Sequence, residues 1–60
     1  MNNDAICYQV ESHRGVEYST YSLTAAKTHA LHLARARVRA VQIAECKTNP
    51  DSYRVILVLS

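Results

Sequence analysis

Hydrophobic and polar residues alternate over the first third of the chain. In residues 5–11 and again in residues 16–21, apolar or aromatic side chains recur at about every second position. A period of two predicts strands that place one face on a core. The only glycine of the chain, Gly15, lies just before the second segment, where a hairpin loop favours a residue that tolerates positive φ. The two segments are therefore predicted to form a β-hairpin.

Residues 23–38 follow a different period. Alanine and leucine, both strong helix formers, recur at helical spacing, and neither glycine nor proline interrupts them. This pattern predicts an amphipathic helix whose apolar stripe is rich in alanine, so the helix can lie close to a sheet. Ser22 is the candidate N-cap, with Thr24 as the competing choice. A bulky side chain in place of Ala30 would lift the helix from the sheet at a cost of ~1–3 kcal/mol.

The last third of the chain predicts a second hairpin. Residues 40–47 alternate with an apolar core side, and a turn signal in residues 48–52 contains the only proline. Residues 53–60 are apolar on both faces, which favours a central strand or a strand whose second face meets a partner. The side chains expected to face the helix are Tyr53, Val55, Leu57 and Leu59, and those expected to face away are Arg54, Ile56 and Val58.

The order of these segments is β-β-α-β-β. We expect residues 1–60 to form a single small α+β domain, with a four-stranded, mainly antiparallel sheet and one helix packed on one face. A chain of 6.7 kDa has too little core to support a deep enzyme cleft. We therefore expect a protein without catalytic activity.

The number of cysteines and the sequence of the N-terminus indicate the cytoplasm as the compartment. The two cysteines, Cys7 and Cys46, are fewer than a small secreted scaffold carries. The N-terminus lacks the pattern of a secretory signal, and no segment approaches the ~20 apolar residues of a membrane span. We expect a cytoplasmic protein with reduced thiols and without a metal, a cofactor or a membrane. The spacing does not decide whether the two thiols lie close together.

Positive charge is concentrated in the middle of the chain. No acidic residue lies between Glu17 and Glu45. That interval holds His29, His32 and four cations, Lys27, Arg35, Arg37 and Arg39. One interpretation is a basic patch that attracts phosphate or an acidic protein surface. The other is a solvated helix face, with cations at the helix C-terminus that favour its dipole. The two histidines, three residues apart, either reach one ligand together or are ordinary polar surface.

The helix is expected to leave the second face of the sheet uncovered. That outer face combines tyrosine, arginine and aliphatic side chains with few formal charges, which is typical of a protein-binding surface. From it we select Tyr21, Gln42 and Arg54 as candidate contacts. A homodimer through this face or through an edge strand is a further expectation, because so small a chain gains from association. The alternative is a semi-apolar face that water tolerates.

The start of the predicted helix carries a resemblance. The pattern Ser-Leu-x-x-Ala-Lys-x-x-Ala, here Ser22 to Ala30, resembles the helix start of small phage and mobile-element proteins, among them some anti-CRISPR proteins. Those proteins carry a single helix on an antiparallel sheet. The resemblance implies a non-enzymatic inhibitor that binds a protein or ribonucleoprotein surface, often with basic and aromatic side chains in a site meant for nucleic acid. It transfers no individual site residue, and the modest positive charge does not favour DNA mimicry.

Two functions follow from these patterns. The first is a non-enzymatic interaction module that binds a host protein or ribonucleoprotein. The resemblance implies that this module acts as an inhibitor. The alternative is a small nucleic-acid-binding domain that uses the basic helix against phosphates, with an affinity that falls steeply with salt. A regulatory subunit that dimerises before it binds is a third interpretation. The partner-binding residues selected for these functions are Tyr21, Lys27, Arg35, Arg37, Arg39, Gln42 and Arg54.

Overall fold

Four strands and one helix make up the part of the chain that the structure describes. The computed structural model describes residues 6–48 and 51–60. The elements in chain order are β1 (Ile6–Ser12), β2 (Gly15–Thr20), α1 (Leu23–Arg35), β3 (Gln42–Thr48) and β4 (Asp51–Val58). All neighbouring strands are antiparallel, in the order β2-β1-β3-β4. The predicted α+β class, the β-β-α-β-β order and the antiparallel sheet are confirmed.

The register of β1 defines the two faces of the sheet. Val10 lies opposite Tyr18 of β2 and Ile43 of β3, and opposed residues of antiparallel strands point to the same side. Val10 and Ile43 are fully buried in one cluster with the helix, so we call this the helix side. Gln9 and Ala44 oppose each other one position along, and they point to the other side, the outer face.

Alanines bring the helix close to the sheet. Ala26 and Ala30 are 0% exposed and form a core cluster with three buried residues of the sheet region, Val10, Val41 and Ile43. Within the described residues, α1 contacts β1, β2 and β3 but not β4. The core is therefore thin and lies under one helix, and no residue of the fourth strand is fully buried in it.

The helix begins where the sequence predicts. The hydroxyl of Ser22 accepts the backbone N–H of Ala25 at 3.1 Å, which satisfies one of the free amides of the first turn. Thr24, the competing choice, lies inside that turn, where its carbonyl accepts the hydroxyl of Thr28 at 3.0 Å. Ser22 is therefore the N-cap.

The helix ends three residues earlier than predicted, at Arg35. The N–H of Arg37 donates to the carbonyl of Ala34, and the N–H of Val38 donates to that of Leu33. These two bonds form a Schellman motif, which needs a residue at positive φ just beyond the helix. Arg37 takes that position with φ 66°, although glycine is the usual residue because a Cβ adds steric cost there.

The segment after the helix, which we call the exit loop (residues 36–41), is held on two sides. At the tip of the β1–β2 hairpin, the N–H of His13 donates to the carbonyl of Arg39 at 3.0 Å. On the other side, the N–H of Val41 donates to the hydroxyl of Ser60 at 3.1 Å. The loop therefore has a defined path, and its two arginines are exposed.

β4 is an edge strand, so the prediction of a central strand is wrong. Among the described strands it pairs with β3 alone, and all of its residues except Ile56 are exposed. Leu57 lies opposite Ile43 while Val55 lies opposite Ala44, which leaves Ile56 as the extra residue of a β-bulge. The bulge interrupts the alternation on which the predicted faces depend.

The predicted faces of β4 are consequently wrong before the bulge and right after it. Tyr53 and Val55 belong to the outer face, and Arg54 belongs to the helix side, as shown by their partners on β3. Ile56, predicted to face away, packs against the core cluster. Leu59, beyond the strand, packs there as expected.

The strand limits also shift by a few residues. β3 begins at Gln42 rather than at residue 40, because residues 40 and 41 still belong to the exit loop. β4 begins at Asp51 rather than at residue 53 and ends at Val58. Residues 49 and 50 of the predicted turn, and residue 5 of the predicted first strand, lie outside the described residues.

Candidate macromolecular interface

The cations of this protein divide into a paired and an unpaired set. In the β1–β2 hairpin, Arg14 lies 2.7 Å from the carboxylate of Glu17. At the sheet, the ammonium of Lys47 and the guanidinium of Arg54 lie 3.9 and 3.4 Å from Oε1 of Glu45. None of these three paired cations belongs to α1 or to the exit loop.

The four cations of α1 and the exit loop have no acidic partner within residues 6–48 and 51–60. These unpaired cations are Lys27, Arg35, Arg37 and Arg39, and all four are exposed. Lys27 and Arg35 stand eight residues apart, which places them two turns apart on one side of the helix. Arg37 and Arg39 follow in the exit loop. Because they lie outside the helix, the helical period does not place them on different sides of it.

An open groove of about 500 Å³ includes one of the unpaired cations, Arg35, in its lining. Its lining consists of Tyr18, Ala25, Thr28, His29, Leu31, His32 and Arg35. The ring of Tyr18 stacks on that of His29, with centroids 4.3 Å apart and an angle of 5° between the planes. The groove thus offers aromatic and apolar surface together with cationic or hydrogen-bonding groups, and none of the described residues that line it carries a carboxylate.

Sequence reasoning missed Tyr18. The alternation of β2 places its ring on the helix side, but the pattern contains no information on which helix residue it meets. The stack makes His29 half-buried, whereas His32 stays exposed. The two histidines expected to act as a pair therefore have different surroundings, although both line the groove.

The β1–β2 hairpin uses its own carboxylate internally. The hydroxyl of Ser12 donates to Glu17 at 2.6 Å, and Nε of Arg14 donates to it at 2.7 Å. These bonds, the first of them the larger cause, hold the pKa of Glu17 below its ordinary value because they favour the ionised form. Glu17 is therefore engaged within the hairpin.

A second polar cluster lies on the outer face. Glu11 accepts hydrogen bonds from Nε2 of Gln42 at 2.8 Å and from the hydroxyl of Tyr53 at 2.5 Å. The register places Ala44 between the two ends of the Tyr53–Glu11 bond, and Ala44 is 0% exposed. The hydrogen bond to Glu11 raises the pKa of Tyr53, because the protonated phenol is the form that donates.

The two cysteines are neighbours on the outer face. Cys7 lies directly opposite Cys46 in the β1–β3 ladder, and both are free, half-buried thiols. Burial, followed by the proximity of Cys7 and of Glu11, raises the pKa of Cys46. A raised pKa keeps the thiol protonated and therefore a poor nucleophile at neutral pH.

The three contacts predicted for the outer face do not share one surface. Gln42 lies there, but it is half-buried and bound to Glu11. Arg54 belongs to the helix side and contacts Glu45. Its predicted placement on the outer face is wrong because the bulge at Ile56 interrupts the alternation of β4. Tyr21 lies between β2 and α1 and is 76% exposed.

The titratable groups in the described part of the chain fall on two sides of the sheet. The thiols belong to the outer face with Glu11 and Tyr53, whereas His29 and His32 belong to the groove on α1, so the sheet separates the thiols from these two histidines. Among the described residues, no group of three or more histidine, cysteine, aspartate or glutamate side chains could hold a metal ion. No helix within the same residues has the length and apolar character needed to cross a membrane.

The fold and these surfaces define a small α+β domain with one helix on one side of a four-stranded antiparallel sheet. Comparison of the chain with protein-family models, with curated proteins and with solved structures found no match in any of the three. The charge, exposure and geometry of the chain's own residues therefore carry the functional proposal.

Proposed function

We propose that this protein is a non-enzymatic interaction module that binds a negatively charged surface of a protein or ribonucleoprotein. The observation that carries the proposal is the division of charge between paired and unpaired cations. Every cation outside α1 and the exit loop has an acidic partner, and none of the four inside has one within the described residues. Exposed cations without acidic neighbours attract a partner of opposite charge and orient its approach.

The groove supports the same choice of surface. It continues from Arg35 along α1 to the stacked rings of Tyr18 and His29. Aromatic surface beside cations is a combination enriched where proteins bind partners. We extend the proposal to an inhibitor role, as the resemblance to small phage proteins implies, in which this surface occupies a site that the partner uses for another ligand.

The non-enzymatic part of the proposal is supported by the separation of titratable groups. A nucleophile needs a base within hydrogen-bond reach and a third group that orients the base. Cys46 has a raised pKa and lies on the outer face, away from His29 and His32 on α1. This arrangement favours binding over catalysis.

Arg37 distinguishes the functional interpretation from a purely structural one. If Arg37 served the helix, its removal would destabilise the fold by about 0.3–1 kcal/mol through the helix dipole. Its φ of 66° is, however, a conformation in which glycine relieves a cost of roughly 1 kcal/mol. We expect Arg37→Gly to be at least as stable as the parent in urea denaturation and yet to bind the partner more weakly.

Capture from a lysate of the producing organism tests the proposal with a matched control. We expect Arg35→Gln/Arg37→Gln to lose the captured partner, and Lys47→Gln/Arg54→Gln, which removes the same two charges from the paired set, to retain it. Tyr21→Ala measures whether the exposed ring at the helix entrance belongs to the same contact. Equal capture by the two double variants would refute the assignment of the unpaired cations.

A plain nucleic acid is the second candidate partner, and the position of Arg37 and Arg39 in a loop that is held on two sides favours it. Four cations on phosphates would give a slope of about −3.6 in log affinity against log salt, at roughly −0.9 per contact. Mobility shift of duplex DNA and of RNA at two ionic strengths measures this slope. A shift at low salt that Arg35→Gln/Arg37→Gln abolishes supports nucleic acid, and capture that survives nuclease treatment supports a protein partner.

A further inference from the structure

The free edge of β4 carries an inference that does not depend on the unpaired cations. We propose that β4 pairs antiparallel with β4 of a second copy of this chain and joins the two sheets into one sheet of eight strands. The surfaces involved are the edge of β4 and its side chains, whereas the unpaired cations belong to α1 and the exit loop.

β4 exposes a row of apolar side chains on its outer face and Leu57 on the helix side. On the outer face, Tyr53 is 57%, Val55 is 39% and Val58 is 64% exposed. On the helix side, Leu57 is 38% exposed, because α1 does not reach this strand. A partner layered on the outer face would leave the free backbone groups of the edge in water, but a strand that continues the sheet pairs with those groups and packs along Tyr53 and Val55.

The charges of β4 favour a second copy as that strand. The only carboxylate in β4 is Asp51 and the only cation is Arg54, which is already engaged by Glu45. Two identical strands therefore meet without net charge on either. A two-fold axis perpendicular to the sheet keeps both helices on the same side, so the outer-face row of one copy meets the outer-face row of the other.

The bulge and the opposite edge limit the assembly. Ile56 interrupts β4, so the uninterrupted segment is residues 51–55, about 17 Å of ladder. At the other end of the sheet, β2 carries an irregularity opposite Val10/Glu11 and is contacted by α1, both of which discourage a further strand. Pairing through β4 therefore closes at two copies rather than continuing into a fibre.

The size of the interface predicts a dimer that depends on concentration. A standard interface buries roughly 800 Å² per partner, about a fifth of the 4214 Å² exposed by this chain. A five-residue ladder with its flanking side chains reaches at most that size. We therefore expect monomer and dimer to exchange within an accessible range of concentration.

Sedimentation equilibrium over about a hundredfold range of concentration tests the proposal. We expect the mass to rise from 6.7 kDa towards twice that value. Ser19, Gln9, Ala44 and Val55 form one row across the outer face, so Val55→Lys and Ser19→Lys place the same charge at its two ends. We expect Val55→Lys to remain monomeric at concentrations where Ser19→Lys and the parent dimerise.

Two further measurements keep the result unambiguous. Circular dichroism checks that Val55→Lys is folded, and Val55→Thr, which keeps the β-branched shape, should weaken the dimer without unfolding the chain. Amide exchange of residues 51–55 should slow as concentration rises, with no change in β2. A parent that stays at 6.7 kDa throughout, or a Ser19→Lys variant that dissociates as readily as Val55→Lys, would overturn the proposal and leave the one based on the unpaired cations intact.

Discussion

β2 and β4 both end the sheet, but only β2 is covered. The helix contacts β2, and the Tyr18–His29 stack joins the two. The exposed residues of β2 are Gly15, Val16, Tyr18 and Ser19, and its carboxylate, Glu17, is half-buried and engaged by Ser12 and Arg14. Among the described residues no helix contacts β4, which exposes tyrosine and valine on its outer face and leucine on the helix side.

The difference follows from the dimensions of the elements. Four strands spaced by about 4.8 Å form a sheet wider than one helix, whose diameter with side chains is about 10 Å. A chain with one thirteen-residue helix can therefore cover one edge or the other, but not both. Here the short loop from β2 into α1 places the helix over the β2 side. The uncovered edge then becomes the part of the molecule that gains most from a partner.

The largest expected effect comes from lifting the helix off the covered side. Ala30 is 0% exposed at the approach of α1 to the sheet, so Ala30→Leu overpacks the contact and costs ~1–3 kcal/mol. The free energy of unfolding from urea denaturation measures the loss. We also expect the variant to aggregate more readily than the parent, because β2 then resembles β4.

Ala36→Leu is the matched control for that change. Ala36 is the exposed C-cap of the same helix, so the same added volume points into water and should change stability by less than about 0.5 kcal/mol. If Ala30→Leu and Ala36→Leu were equally stable, the close approach of the helix would not be what protects β2.

The contrast between the edges also marks the limit of what the sequence predicts. Local periods and turn residues are encoded in adjacent positions, so the hairpins, the Ser22 cap and the alanine stripe could all be derived from the sequence. The bulge at Ile56 could not, because it depends on how β4 matches β3 rather than on β4 itself. The run of apolar residues therefore predicts a central strand, or one whose second face meets a partner, and assigns the wrong faces in its first half.

The candidate site shows the same limit. Composition indicated Lys27, Arg35, Arg37 and Arg39 as one cationic interval, but it could not show which cations have acidic partners. Pairing depends on contacts such as those of Glu45, which joins Lys47 and Arg54 across two strands. The end of the helix at Arg35 could not be predicted either. Arg37 takes the positive φ that ends the helix, and sequence rules assign that conformation to glycine.

A smaller effect is expected from the polar contact that ties β4 to the rest of the outer face. Tyr53→Phe removes the bond to Glu11 but keeps the ring over the sheet. Because both groups are open to water, we expect a loss of at most about 1 kcal/mol. Thermal or urea denaturation measures it at a concentration where the chain is monomeric. A loss as large as that of Ala30→Leu would mean that β4 is fixed by its side chains rather than left free for a partner.

The smallest expected effect is a difference between the two edge strands in how their stability depends on pH. Because its hydrogen bonds lower the pKa of Glu17, the folded state holds that proton less tightly than the unfolded chain. Its contribution is present above the ordinary glutamate pKa, about 4.3, and is lost as the pH falls through the folded value. The pKa of Tyr53 is raised, so its contribution is present below the ordinary tyrosine value of about 10 and is lost as the pH rises.

Acid should therefore loosen the β2 hairpin first, and alkali should loosen β4 first. Amide exchange or amide chemical shifts, followed separately for residues 15–20 and 51–58, measure the two transitions. Glu17→Gln should remove the acid transition of β2 and leave the alkaline transition of β4 unchanged. Tyr53→Phe should leave the acid transition of β2 unchanged and weaken the alkaline transition of β4. Cys46, whose pKa is also raised, still titrates there in the alkaline direction. Both strands loosening together at either extreme would mean that the edges are coupled through the core, and the contrast between a covered and a free edge would then lose its physical basis.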